Sequence, residues 1–178
     1  MSTETEVKKH FKLPEPFFTN WLEALRSGGY DQGDEFLATE GVDEDDQYDG
    51  TYKYCCLGVA GAICKVPLPL MTGVPLLTPE EMSQDVSENY GIPKILTEQG
   101  TTAPLKYSLV EILTSLNDGN LAEKLYHTLE EYPGIWYPEN ILREIKEASK
   151  KRVSLDFKGI AEFLERNVEP IKETDDIA

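Results

Sequence analysis

Cys55-Cys-Leu-Gly-Val-Ala-Gly-Ala-Ile-Cys-Lys-Val66 is nearly continuous apolar sequence, and Pro67 closes it. Its length and its content of small residues predict a buried helix. Gly58 and Gly61 share a face of that helix, where the missing Cβ atoms let another backbone come close. The residues just before it, Thr51-Tyr-Lys-Tyr54, are β-prone and predict a short strand paired with Glu35-Phe-Leu-Ala38.

Helical periodicity dominates on both sides of this unit. Phe17, Phe18, Trp21, Leu22 and Leu25 form one apolar stripe after Pro16, and Gly28-Gly29 ends it. Thr78-Pro-Glu-Glu81 reads as a capping box with proline at the first helical position, opening a helix toward Tyr90 and Gly91. Leu109, Ile112, Leu113 and Leu116 mark a further helix, Leu121, Leu125 and Leu129 another, and Ile141, Leu142 and Ile145 the next. Phe157, Ile160, Ala161 and Leu164 give the i, i+3, i+4, i+7 pattern of the last one. The expected fold is α+β and mostly helical, with about six helices around one core and a small two-stranded β element. Residues 1–14 are expected to be a flexible arm, 15–170 a single globular domain and 171–178 a flexible acidic tail.

Composition bounds the function. Of the 178 residues 40% are hydrophobic and 10% aromatic, a folding composition. No apolar run is long enough to span a bilayer, and the polar, acidic start does not read as a secretory signal. A net charge of -16 argues against sequence-independent binding of nucleic acid and against anionic membranes, both of which need basic groups. It suits solubility, a basic protein partner or imitation of a nucleic-acid backbone, and a well-solvated acidic surface is the plainest of these readings. Three cysteines, an odd number, make a poor disulfide framework and suit a reducing cytosol.

Between residues 27 and 52 there is no lysine or arginine, but there are nine acids, from Asp31 to Asp49. Such a block repels itself, and residues 39–50 are expected to form a mobile acidic loop. A calcium loop starting at Asp45 would have Gly50 correctly placed at its sixth position. Cys56 then stands where the bidentate glutamate belongs, and Lys53 stands at the ninth position, so the pattern fails.

Cysteine at the first turn of a helix that follows a strand gains acidity from the helix dipole, so Cys55 or Cys56 is a candidate nucleophile. The base would be His127, since His10 falls in the arm. The competing reading is a pair of buried thiols packing as small hydrophobes. Zinc fails for lack of paired ligands, and phosphate-loop, dinucleotide and serine-hydrolase signatures are absent, so neither metal nor cofactor is expected. Arg26, Tyr30, Gln32, Asn117 and Asp118 are the candidate binding residues: polar groups at helix ends, from two distant segments, which a fold can bring together on a ligand. The alternative is that Asn117 and Asp118 cap a helix and Arg26 pairs with an acid.

Trp21-Leu-Glu-Ala-Leu-Arg-Ser-Gly28, Tyr30, Gln32 and Tyr54-Cys-Cys-Leu-Gly-Val59 resemble the opening motifs of a family of small bacteriophage and prophage proteins. Residues 77–91 resemble its leucine-proline-acid helix, and Leu116-Asn-Asp118 and Phe157-Lys-Gly-Ile-Ala-Glu-Phe-Leu-Glu165 its closing motifs. Two departures stand out. The connection between the opening motifs is long and acidic here, where the family's is short and often basic. Residues 119–154 form a helical insertion between Leu-Asn-Asp and the last helix. The resemblance implies phage origin and action in the host cytoplasm, and carries no activity with it. The expected function is that of an accessory protein binding a host factor without catalysis, a defence component among the candidates. The alternatives are sequestration of a small polar ligand such as a signalling nucleotide, and an enzyme with a cysteine nucleophile.

Overall fold

A computed structural model describes residues 9–74, 89–96, 108–118, 125–127, 131, 137–151 and 154–172. The chain is α+β and mostly helical. The described helices are α1 (Glu15–Arg26), α2 (Cys56–Ile63), α3 (Leu109–Asn117), α4 (Glu139–Lys151) and α5 (Phe157–Asn167). The strands are β1 (Phe11–Pro14), β2 (Asp31–Gln32), β3 (Ala38–Val42), β4 (Tyr48–Tyr54) and β5 (Val168–Ile171).

One apolar core joins all of these helices. Phe18, Trp21, Leu22 and Leu25 bury the expected stripe of α1, and Phe157, Ile160, Ala161 and Leu164 that of α5. In α2 every residue from Cys56 to Gly61 is buried, which is why its sequence has no polar face. At Gly58 an added Cβ would collide with the Leu37 carbonyl oxygen, and at Gly61 it would lie 2.6 Å from Met71 Sδ. The expected backbone approach is made at Gly58, by the segment before β3; at Gly61 the neighbour is a side chain, that of Met71. Ser108 caps α3 and forms a capping box with Glu111. Within the expected insertion 119–154, α4 turns Ile141, Ile145 and Ala148 into the same core, and Asn140 Nδ2 donates to Asn167 Oδ1 of α5 over 2.7 Å.

Three expectations need correction. Phe11–Pro14, placed in the flexible arm, is a strand running parallel to β5, with Phe11 paired to Val168 and Pro14 to Ile171. Alternation explains it: Phe11 and Leu13 are buried and Lys12 is exposed, the period of a half-buried strand. Ile171, placed in the tail, belongs to β5. Residues 39–50, placed in a loop, lie within the β3–β4 hairpin, whose antiparallel register pairs Ala38 with Tyr54, Glu40 with Tyr52 and Val42 with Tyr48. The sheet is thus three-stranded, in the order β2-β4-β3, with β2 parallel to β4. The expected helix opening at Thr78 and most of the one carrying Leu121 and Leu129 lie outside the described residues.

Candidate functional site

The strand-to-helix junction at Cys55 organises the molecule's centre. Cys55 is the N-cap of α2, and its Sγ accepts the Gly58 N–H over 3.2 Å. The next amide, that of Cys56, has no intrahelical acceptor, as at any helix start. It donates to Asn117 Oδ1 over 3.0 Å, and Asn117 Nδ2 donates to the Gly33 carbonyl over 2.9 Å. Trp21 Nε1 donates to the Cys56 carbonyl over 3.1 Å. Asn117 is therefore a cap supplied to α2 from the end of α3, tying it to the turn after β2. Asp118 is the buried C-cap of α3, its N–H bonded to the Thr114 carbonyl. Both residues take the capping role among the alternatives the sequence leaves open.

Both thiols are fully buried and engaged by backbone groups: Cys55 Sγ accepts the Gly58 N–H, and Cys56 Sγ donates to the Leu113 carbonyl over 3.8 Å. Burial pushes Cys55 up to about 12 and Cys56 well above the usual thiol range. A nucleophilic cysteine needs the opposite shift and a base within reach. His127 is exposed, beside Tyr126, and bonds neither thiol. Helix-dipole acidification, the reason for considering these cysteines, is outweighed by desolvation.

Arg26, Tyr30 and Gln32 do converge. With Leu25, Gly28, Asp156, Phe157 and Lys158 they line a cleft of about 480 Å³ between the end of α1, β2 and the start of α5. Each is already engaged on one side. Arg26 Nη1 and Nη2 donate to Glu165 Oε1 and Oε2 over 2.8 and 2.5 Å, a two-pronged ion pair. That hydrogen bond pushes Arg26 up and pulls Glu165 down, but the side chains are 40% and 45% exposed, so water and salt screen most of the gain. Gln32 Nε2 donates to the Leu155 carbonyl over 2.7 Å, and the Tyr30 ring meets Tyr54 edge-on at 5.3 Å. Asn117 and Asp118 do not line the cleft. Asp156, Phe157 and Lys158, which sequence reasoning missed, do. Their signal was an aspartate N-cap just before the stripe of α5, where Asp156 Oδ1 accepts the Gly159 N–H over 2.7 Å.

A second feature is the β3–β4 hairpin. Its tip is turn chemistry: Asp43 Oδ1 accepts the N–H groups of Asp45 and Gln47, both at 2.9 Å, and Asp46 takes φ +58. Next to this acidic tip Val42 and Tyr48 face each other across the strands, 55% and 50% exposed. The Tyr48 ring leans on Tyr52 at 5.6 Å. Neither Val42 nor Tyr48 stood out in the sequence, where the acids around them mask the apolar pair. Among the described residues no three His, Cys, Asp or Glu side chains are grouped to hold a metal, and no helix is long and apolar enough to cross a membrane. No family model, curated protein or solved structure matches this chain.

Proposed function

We propose that the protein acts by binding rather than catalysis, as a phage-encoded accessory protein that captures a basic host protein, a defence component among the candidates, in the host cytoplasm. The observation that carries this reading is the hairpin, which exposes an apolar Val42–Tyr48 pair ringed by Glu40, Asp43, Glu44, Asp45, Asp46 and Asp49. An apolar anchor with a charged rim is the anatomy of a protein interface, and a rim of one sign selects partners of the other. The test is affinity capture from host lysate at low and high salt, with wild type and with Val42→Ser/Tyr48→Ser. Salt-sensitive capture of a basic protein, lost in the double variant, supports the reading. Capture that ignores both salt and the variant rejects it.

A second reading rests on the cleft. Arg26, Tyr30, Gln32 and Lys158 around a volume of about 480 Å³ suit a small polar ligand, a signalling nucleotide among the class, with the Tyr30 ring available for stacking. It predicts a thermal shift with nucleotides that persists at high salt and disappears in Tyr30→Ala. A shift that survives Tyr30→Ala would remove the cleft from consideration.

A further inference from the structure

The hairpin offers more than a charged surface. We propose that the outer edge of β3, at Glu40 and Val42, accepts an extended basic segment of a partner protein as an added β-strand. This rests on the reading of the hairpin as the interface and specifies how it binds.

Backbone alternation identifies the edge. Thr39 stands opposite Lys53, and the Asp43 N–H donates to the Gln47 carbonyl over 2.8 Å, so residues 39, 41 and 43 turn their peptide groups toward β4. Residues 38, 40 and 42 turn theirs outward. Ala38 demonstrates it: its N–H donates to the Met71 carbonyl over 3.2 Å, and its carbonyl accepts the Gly73 N–H over 3.0 Å. That contact, among the described residues, involves Leu37, whose N–H donates to the Val74 carbonyl over 2.9 Å, and Ala38, and does not pass Ala38. Among the described residues, no strand or loop covers the outward groups of Glu40 and Val42. The other edge of the hairpin is unsuited to pairing. Opposite Gly41 the β4 strand bulges through Asp49-Gly50-Thr51, with Gly50 at φ +88 and Asp49 Oδ1 closed onto the Thr51 N–H at 2.8 Å and hydroxyl at 2.6 Å. Near the base, β2 already pairs with Lys53 and Tyr54.

Charge decides the occupant. An open edge is a template for any strand, including that of a second copy. Two copies of this edge would set Glu40 and the tip acids of one against those of the other, in a chain of net charge -16. Like charges in that position repel, so the acids guard the edge against self-pairing and attract lysine or arginine. Strand addition takes its affinity from main-chain hydrogen bonds and its selectivity from alternate side chains. Val42, half exposed on β3 itself, gives the added strand an apolar footing, and the acids meet its basic positions.

The probe is an eight-residue peptide alternating lysine and valine, compared with the same peptide N-methylated at every backbone amide, which keeps charge and side chains but cannot donate from either edge. Wild type is expected to bind the unmethylated peptide at least about tenfold more tightly, the worth of roughly two hydrogen bonds, with slowed amide exchange at Glu40 and Val42. Glu40→Pro, which removes an outward N–H, is expected to lose that preference while Glu40→Gln keeps it. Equal binding of the two peptides, or no binding of either, overturns strand addition. If equal binding is salt-sensitive and vanishes when Asp43, Glu44, Asp45 and Asp46 become amides, the acidic-hairpin reading survives the loss. If binding ignores that neutralisation, the hairpin reading falls and strand addition falls with it.

Discussion

Asn117 Oδ1 accepts the amide proton of Cys56 over 3.0 Å, so a side chain from the end of α3 caps α2 from 61 positions away. The same side chain donates to the Gly33 carbonyl and is buried. Asn117→Ala is expected to lower stability by roughly 1–3 kcal/mol for each buried group left unpaired. Asn117→Asp keeps the acceptor but sets a carboxylate oxygen against the Gly33 carbonyl, so it should be no milder. Urea denaturation of the three proteins decides it. Wild-type stability in Asn117→Ala would free Asn117 from the structural role assigned here.

The thiols predict a pH dependence with a definite sign. An unfolded cysteine ionises at its ordinary value of 9.0, whereas burial pushes Cys55 up to about 12 and Cys56 also well upward. The folded state thus holds its protons more tightly. The stability tied to the neutral thiols is fully present below about pH 9 and is lost as pH rises from there through about 12. Denaturation midpoints should fall between pH 8 and pH 10.5, and fall less in Cys55→Ser, where a hydroxyl retains the cap. In native protein at pH 8 the half-buried Cys64 should be the first to react with a thiol reagent. Rapid modification of Cys55 or Cys56 would restore the nucleophile reading.

Gly58 and Gly61 lie three residues apart on one helix and should respond very differently to alanine. At Gly58 the obstacle is the Leu37 backbone carbonyl, which also accepts the Cys55 N–H over 3.3 Å and cannot retreat without breaking that bond. At Gly61 it is the thioether of Met71, the end of a flexible side chain. Gly58→Ala should cost about 3 kcal/mol or more, and Gly61→Ala no more than about 1 kcal/mol, after crediting alanine's better helix propensity. Thermal melts of both variants test the order. Equal losses would show that α2 shifts as a unit instead of being pinned at Leu37.

The parts of this fold that the sequence made legible are those whose partners are local. The stripes of α1 and α5 repeat within their own helices, and Gly58 announces a close contact whatever lies opposite. Arg26, Tyr30 and Gln32 were recognisable together because a helix end and a short strand keep them adjacent. The partners of Asn117 stand 61 and 84 positions away, and no periodicity reports such a bond. The β1–β5 pairing joins two four-residue strands from the start and the end of the described chain, too short to be separated from irregular sequence. The hairpin was hidden for a different reason. Aspartate and glycine are depleted in strands, so a segment rich in both reads as a loop, although several of these residues serve the turn and the bulge.

The tip of that hairpin holds a non-glycine residue in the left-handed region. Asp46 sits at φ +58, in the left-handed position that closes a three-residue turn, where a side chain costs conformational energy and glycine does not. Its carboxylate also adds to the repulsion among Asp43, Glu44 and Asp45. Asp46→Gly relieves both, and is expected to stabilise the hairpin by about 1 kcal/mol. Asp43→Ala removes the oxygen that accepts the N–H groups of Asp45 and Gln47, and should weaken it. A hairpin standing out from the core opens locally, so the global melt is the wrong measurement. Amide exchange at Thr39, Asp43 and Lys53 reads the local opening directly. It should slow about fivefold in Asp46→Gly, the equivalent of that 1 kcal/mol, and quicken in Asp43→Ala. Identical exchange in the two variants would mean that the turn does not hold the strands together, and that their pairing rests on the Val42–Tyr48 and Glu40–Tyr52 contacts alone.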